Sequence, residues 1–468
     1  MLPNVMKRIL PLLIICLFTT ALCAQSVNER LTQAFKNFED DAQLRSALAS
    51  LYVIDAKSGK VVFDKNGSIG LAPASTQKII TSATAYELLG KDFVYKTEIA
   101  YTSPVVNGVL QGQLIITPSG DPTLGSWRWN QTKEEQVIRR IAAAVQRTGI
   151  KSFSGIRVDN RKWNAESIPD GWIWQDIGNY YGAGAAGLNW RENQYDVILS
   201  SGSSIGSSVK VEKTKPFLYG YSLESKAAAG AKGSGDNAYI YFPLNENKGI
   251  IRGTIPAGES SFTISGAIPS PDYQFTATLF DSLKHYALEN RYKNVSNPMG
   301  DESKRTIIHT EVSPPLDSIV YWFNRKSINL YGEALVKTIA YQMKGVGETE
   351  EGVDLLRNFW KGVGIDRTEL NMVDGSGLSP LNRVTTRAQV KVLQYAQKQS
   401  WYSGYYLSLP EYNGMKMKSG TIRGVKGYCG YHTSRDGNEY IFSFLVNNYN
   451  GSASSLVQKM YKVLDVLK

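Results

Sequence analysis

The spacing of apolar and polar positions changes several times along the chain, and each change predicts a different kind of element. From Leu51 to Asp64 the pattern alternates as LYVID, turns through Lys57-Ser58-Gly59 and resumes as KVVFD, which predicts a hairpin. After Pro73, the apolar residues Ile79, Ile80, Ala83 and Leu88 fall at helical spacing until Gly90 interrupts them, so a helix is predicted over 75–89 with Ser75 at its N-terminus.

Near Val94 the texture changes. A hairpin is predicted around Asn107-Gly108, followed by a helix whose Thr132 and Glu135 match a capping box ahead of Val137, Ile138, Ile141 and Val145. Gly/Ser-rich stretches at 200–208 and 227–235 are predicted loops, and 238–242 and 261–265 are predicted strands. Helical spacing returns at 316–324 and 330–343, which leaves 325–329 as a short connection, and again at 353–363 and 387–399. Strands are expected at 415–421, 428–433 and 440–447, the last two joined by a turn at Asp436-Gly437. A final helix puts Leu456, Met460, Val463, Leu464 and Leu467 on one face, which is expected to pack on a sheet.

The first residues read as an export leader: Lys7 and Arg8 precede an apolar run from Ile9 to Leu22 that ends in small residues, so residues 1–24 are expected to be removed and the protein secreted to the periplasm. No stable membrane span is expected after cleavage. Cys16 and Cys23 fall in the leader, and Cys429 is left without a disulfide partner. The remaining 444 residues are enough for two or more domains held by packed cores. His285, His309 and His432 share no metal-ligand spacing, so no metal and no cofactor is expected. Losing Lys7 and Arg8 takes the formal charge from +10 to +8, which suits loose association with an anionic envelope. Without a basic-aromatic stripe, nucleic acid is not an expected partner.

With histidine scarce, lysine is the candidate base for hydroxyl chemistry. In Ser75-Thr76-Gln77-Lys78 the two end residues are three apart at a helix start, on one face and near the positive end of the helix dipole. Ser207-Ser208-Val209-Lys210 has the same spacing but lacks the apolar period that would fix a helix. A second pair, Ser327 and Asn329, lies in the predicted interhelical connection, while Ser26-Val27-Asn28 repeats that pattern beside the leader. A third element, Lys418-Ser419-Gly420-Thr421, lies on a predicted strand, where Gly420 permits close backbone approach and Lys418 supplies a cation.

The order Ser-x-x-Lys, Ser-x-Asn, Lys-Ser-Gly resembles that of penicillin-recognising serine enzymes. The long gap of 252 residues between Ser75 and Ser327 narrows the likeness to the penicillin-binding protein 4 family of D-alanyl-D-alanine carboxypeptidases/endopeptidases, serine peptidase family S13. Local stretches agree: Ser119-Gly120-Asp121-Pro122-Thr123-Leu124, Trp172-Ile173-Trp174, Tyr180-Tyr181-Gly182-Ala183, Ser313-Pro314-Pro315-Leu316 and Asp374-Gly375-Ser376-Gly377-Leu378-Ser379. The resemblance implies a mixed α/β architecture, a penicillin-binding transpeptidase-like, β-lactamase-like domain with inserted β-rich accessory domains. It implies a catalytic domain in two segments, 25–93 and 305–468, with 94–304 inserted as two nested domains.

Carried residue by residue, the resemblance implies that Ser75 is the nucleophile, Lys78 the neutral base and Ser327 the proton relay, with Asn329 holding either Lys78 or the substrate amide. It further implies that the backbone N–H groups of Ser75 and Thr421 form the oxyanion hole, that Lys418 and Ser419 grip the terminal carboxylate, and that Asp176 with Tyr181 reads the amino end of the third stem-peptide residue. The implied partners are peptidoglycan stem peptides, with β-lactam antibiotics as inhibitors. Two other readings share these residues, a serine β-lactamase and a noncatalytic peptidoglycan-binding protein. Length argues against the first, and the intact Ser75, Lys78, Ser327, Asn329 and Lys418 against the second.

Overall fold

The computed structural model describes residues 25–286, 288–290 and 304–468 of the chain. The leader read at 1–24 lies outside the described residues. No helix among the described residues is long and apolar enough to cross a membrane.

A six-stranded antiparallel sheet carries the site. Its spatial order is Val61–Lys65, Leu48–Asp55, Glu439–Asn447, Val425–Thr433, Met415–Ile422 and Glu411–Tyr412, so strands from near both ends of the chain lie side by side. The hairpin read at 51–64 forms, with Val53 opposite Phe63. Both faces of the sheet are buried, so successive residues serve different cores. Leu51, Val53, Phe442 and Phe444 pack beneath the terminal helices Val27–Glu39 and Ala453–Leu464, whereas Tyr52, Ile54, Tyr431 and Ile441 face the helices Lys78–Leu89, Leu316–Lys326, Asn329–Lys344 and Thr386–Ala396.

The chain between these halves builds smaller sheets over two further cores. One is the four-stranded sheet of Thr306–Val312, Lys96–Tyr101, Leu114–Thr117 and Ile156–Val158, packed with the helices Glu134–Arg147 and Pro271–Lys284. The other is built on Gln194–Ser201, Val209–Lys215, Phe262–Ala267, Asn237–Tyr241 and Lys248–Pro256. The architecture is mixed α/β.

Several expectations are corrected in detail. The capping box at Thr132 and Glu135 does not form, because the Thr132 hydroxyl donates to the carbonyls of Ser126 and Trp129 and the helix starts after Lys133 with no side-chain cap. A capping box exists instead at Ser26 and Glu29, so the Ser-Val-Asn repeat beside the leader is a helix start. Of the stretch read as loop at 200–208, Ser200 and Ser201 continue a strand, and Ala228–Gly230 within 227–235 is a short parallel strand. The interhelical connection is shorter than 325–329, only Ser327 and Ile328.

The terminal helix is locked to the sheet by aromatics: Phe35 lies 5.5 Å from Phe63 and 5.8 Å from Phe444, and Phe38 meets Phe444 edge-on at 5.2 Å. Truncating a buried phenylalanine leaves a cavity the surroundings refill only partly. Phe35→Ala is expected to destabilise the protein by about 3–5 kcal/mol, seen as a lower guanidinium midpoint; an unchanged midpoint would show that this helix is not part of the cooperative core.

Candidate active site

Ser75 lies in a single 3-10 turn, Ala74–Gln77, that runs directly into the α-helix Lys78–Leu89, so it stands one turn ahead of the α-helix expected to begin with it. Ala74 takes a positive φ of 46°, a conformation that non-glycine residues adopt only under local constraint. Two glycines permit that turn. A Cβ on Gly420 would stand 2.6 Å from the Pro73 carbonyl and 3.0 Å from the Ser75 nitrogen, and one on Gly377 would stand 2.0 Å from the Ala74 carbonyl. The strand Met415–Ile422 and the 374–379 loop thus close on the turn from two directions.

The Lys78 side chain is completely buried, and its amine has three near neighbours. Nζ lies 2.6 Å from Asn329 Oδ1, 2.7 Å from the Ser376 carbonyl and 2.9 Å from Ser75 Oγ. The first two can only accept, so they take two N–H bonds. The position left on a neutral amine is its lone pair, facing Ser75 Oγ. Burial holds Lys78 well below the ordinary lysine range, and the nearby Lys418 adds to this against opposing pulls from Asp374 and Glu333.

Ser327 caps the helix Leu316–Lys326 in the left-handed region, φ 57° and ψ 40°, which lets the next helix begin at Asn329. Its Oγ accepts from Lys418 Nζ at 3.0 Å, while Lys418 also donates to the Ser419 carbonyl at 2.9 Å. Desolvation pushes the buried Lys418 down to about 7. Asn329 spends its Nδ2 on the Tyr181 carbonyl at 2.7 Å, which fixes its Oδ1 toward Lys78. The five residues thus form two hydrogen-bonded sets, Ser75–Lys78–Asn329 and Ser327–Lys418, and Ser75, Ser327 and Asn329 line one cavity.

A cavity of about 1000 Å³ opens in front of this group, lined among others by Ser75, Ser327, Asn329, Thr421, Asp176 and Tyr181. Thr421 is exposed on the cavity wall, and its hydroxyl accepts from Lys426. Ser419 and Gly420 precede it on the same strand. Asp176 and Tyr181, half-buried, touch each other at 3.3 Å across the same cavity, and desolvation raises the Asp176 carboxyl. The rival Ser207 and Lys210 stand where a loop enters the strand Val209–Lys215, away from any helix start.

Beneath Lys78 lies a layer of buried acids to which no sequence motif gave a role. Asp374, fully buried, accepts five hydrogen bonds, from Gln77 Nε2, Gly377 N, Ser379 N, Asn382 Nδ2 and Trp172 Nε1. It folds the loop whose Ser376 carbonyl meets Lys78. Glu333, also fully buried, accepts from Gly375 N, and burial beside Asp374 raises its carboxyl. The one available signal was the Asp-Gly-Ser-Gly run.

Comparison with known proteins places this geometry. The chain is 28% identical to a D-alanyl-D-alanine carboxypeptidase of Actinomadura sp. (strain R39), over 93% of this chain and 85% of that protein. It is 22% identical to the D-alanyl-D-alanine carboxypeptidase DacB of Haemophilus influenzae, over 84% of this chain and 83% of that protein. In fold it is similar to the crystal structure of penicillin binding protein 4 from Haemophilus influenzae, with a TM-score of 0.78 at 20% identity, covering 93% of this chain and 98% of that one. The model of the D-Ala-D-Ala carboxypeptidase 3 (S13) family matches residues 31–412, a span that contains Ser75, Lys78, Ser327 and Asn329 and stops short of Lys418. Because that match takes in most of the chain, the protein belongs to the D-Ala-D-Ala carboxypeptidase 3 (S13) family.

Proposed function

We propose that this serine D-Ala-D-Ala carboxypeptidase/endopeptidase works through a Ser75 acyl-enzyme with Lys78 as its general base, acting on peptidoglycan stem peptides in the periplasm. One observation carries the assignment: a dry lysine amine whose two fixed acceptors leave its third neighbour, Ser75 Oγ, 2.9 Å away.

Ser75 Oγ attacks the carbonyl between the two D-alanines as its proton passes to Lys78 Nζ. The backbone N–H groups of Ser75 and Thr421 receive the oxyanion, a role favoured by the close approach of Gly420 to the Ser75 nitrogen. When the C–N bond breaks, the departing amine takes the proton back through the Ser327 hydroxyl, which Lys418 holds by hydrogen bond. Asn329 holds Lys78 rather than the substrate amide, since both ends of its side chain are engaged. Water then releases the acyl group. The same bond in a crosslinked peptide gives endopeptidase cleavage, and a β-lactam acylates Ser75 by the first half of the route.

Lys418 and Ser419 take the terminal carboxylate. That anion restores the charge which burial withdraws from Lys418, and a charged Lys418 further disfavours protonation of Lys78. Binding thereby readies the base. Asp176, with Tyr181, receives the ammonium of the third stem residue, whose charge relieves the cost of a buried carboxylate. Export by a 1–24 leader and the basic chain both suit an envelope substrate.

Ser75→Ala is expected to abolish both penicillin labelling and D-alanine release in a folded protein; residual labelling would reject the nucleophile. Lys78→Ala should slow acylation by about 10²–10⁴-fold, read by stopped-flow with a fluorescent penicillin. The pH profile of kcat/KM should be bell-shaped. Activity rises as pH climbs through the depressed Lys78 value and freed amine accumulates, then falls as Lys418 loses its proton near 7. In kcat the falling limb should lie at higher pH, because bound carboxylate raises Lys418. A profile flat across neutral pH would contradict both assignments.

A further inference from the structure

We propose that the segment from Trp172 to Tyr181 clamps the Lys78 amine by holding both of its fixed acceptors, and that Trp172 is a positioning residue for the base. The proposal rests on Lys78 being that base.

The two acceptors reach Lys78 from different elements, yet each is tied to this one segment. Asn329 opens the helix Asn329–Lys344, and its amide can present Nδ2 or Oδ1 to Lys78. The Tyr181 carbonyl, accepting from Nδ2 at 2.7 Å, selects Oδ1. A turned amide would offer Lys78 a donor and leave one of its N–H bonds unmet. The Ser376 carbonyl belongs to the loop wound around Asp374. Four of the five donors to that carboxylate come from the nucleophile turn or from the loop and its near flank; the fifth is Trp172 Nε1, at 3.0 Å to Oδ2.

A second bond pins the segment beside the first: the Ser379 hydroxyl donates to the Gly171 carbonyl at 3.0 Å. Gly171 has φ of +82°, and a Cβ there would stand 2.6 Å from Leu381 Cδ1 and 2.8 Å from Ser379 Oγ, so the backbone lies directly on the loop. Between its two anchor points the segment carries Asp176, which with Tyr181 lines the cavity in front of Ser75. The wall that meets substrate is therefore the wall that orients the base.

The titratable groups facing Lys78 are Lys418 from the strand Met415–Ile422, Glu333 from the helix Asn329–Lys344 and Asp374 from the loop. Releasing Trp172 from Asp374 frees the loop and admits water to the amine, and hydration moves a buried lysine back toward its ordinary range. The acid limb of the reaction must then move to higher pH.

The test compares the full-chain wild type, Trp172→Phe and Lys78→Ala by stopped-flow acylation with a fluorescent penicillin over a pH series. Trp172→Phe keeps an aromatic ring and loses the N–H. Expected is an acid limb moved up by roughly one unit, so that acylation is about tenfold slower than wild type on the acid side of the profile and rejoins the wild-type rate at pH above the limb, with affinity for the unreacted penicillin unchanged. A wild-type limb and rate, or an equal loss at every pH, overturns the proposal, because a merely structural defect would not move the limb. If Trp172→Phe does not fold, replacing the indole by benzothiophene through unnatural-residue incorporation keeps the ring volume, removes only the donor and is read the same way. Normal acylation by Lys78→Ala would instead overturn the base assignment, an outcome separate from failure of the clamp.

Discussion

The proposed chemistry depends on keeping one lysine amine dry and short of a proton while leaving its lone pair beside a serine. Lys78 in water would be charged at neutral pH and useless as a base. Complete burial removes the water, and two acceptors that cannot donate use up its N–H bonds. The remaining direction points to Ser75. The choice of neighbours follows from that requirement: a second depressed lysine at 418 discourages protonation, while the buried carboxyl groups of Asp374 and Glu333 sit one layer back as supports.

Such a site requires backbone to converge from elements distant in sequence. The turn that carries Ser75 is pressed between a sheet strand and a loop, and Gly420 and Gly377 are the positions where a side chain would forbid contact. The two-residue connection at Ser327 and Ile328 is short because Ser327 accepts a left-handed backbone, which puts its hydroxyl on Lys418 and starts the next helix with Asn329 on Lys78. Burial on both faces of the sheet gives this arrangement a rigid floor. The middle of the chain contributes Asp176 and Tyr181 to the cavity and, through Trp172 and the Tyr181 carbonyl, supports the amine's acceptors.

Much of this was legible in sequence where the signal is local. Pro73 followed by apolar residues at helical spacing located the helix that follows Ser75, and alternation located the hairpin at 51–64. The order of Ser75, Lys78, Ser327, Asn329 and Lys418 pointed to residues that the fold brings together as two neighbouring hydrogen-bonded sets, Ser75–Lys78–Asn329 and Ser327–Lys418. What stayed hidden is tertiary. Asp374 draws donors from positions 77 to 382, and no spacing rule connects Trp172 to it. The Thr132 cap failed for a similar reason, since its hydroxyl is taken by the Ser126 carbonyl. The terminal helices were unequally visible: the apolar face at 456–467 was clear, whereas Leu31, Phe35 and Phe38 lay just past the leader and their capping box was read as a Ser-x-Asn repeat.

The central claim is the protonation state of Lys78 in the resting protein. Labelling lysine side chains with ¹³C at Cε and following their resonances by NMR through a pH titration measures it, with Lys78→Arg identifying the signal. The account predicts that this one resonance titrates far below the ordinary lysine range and that the protein carries a neutral Lys78 at neutral pH. A Lys78 resonance that titrates with the surface lysines would contradict it.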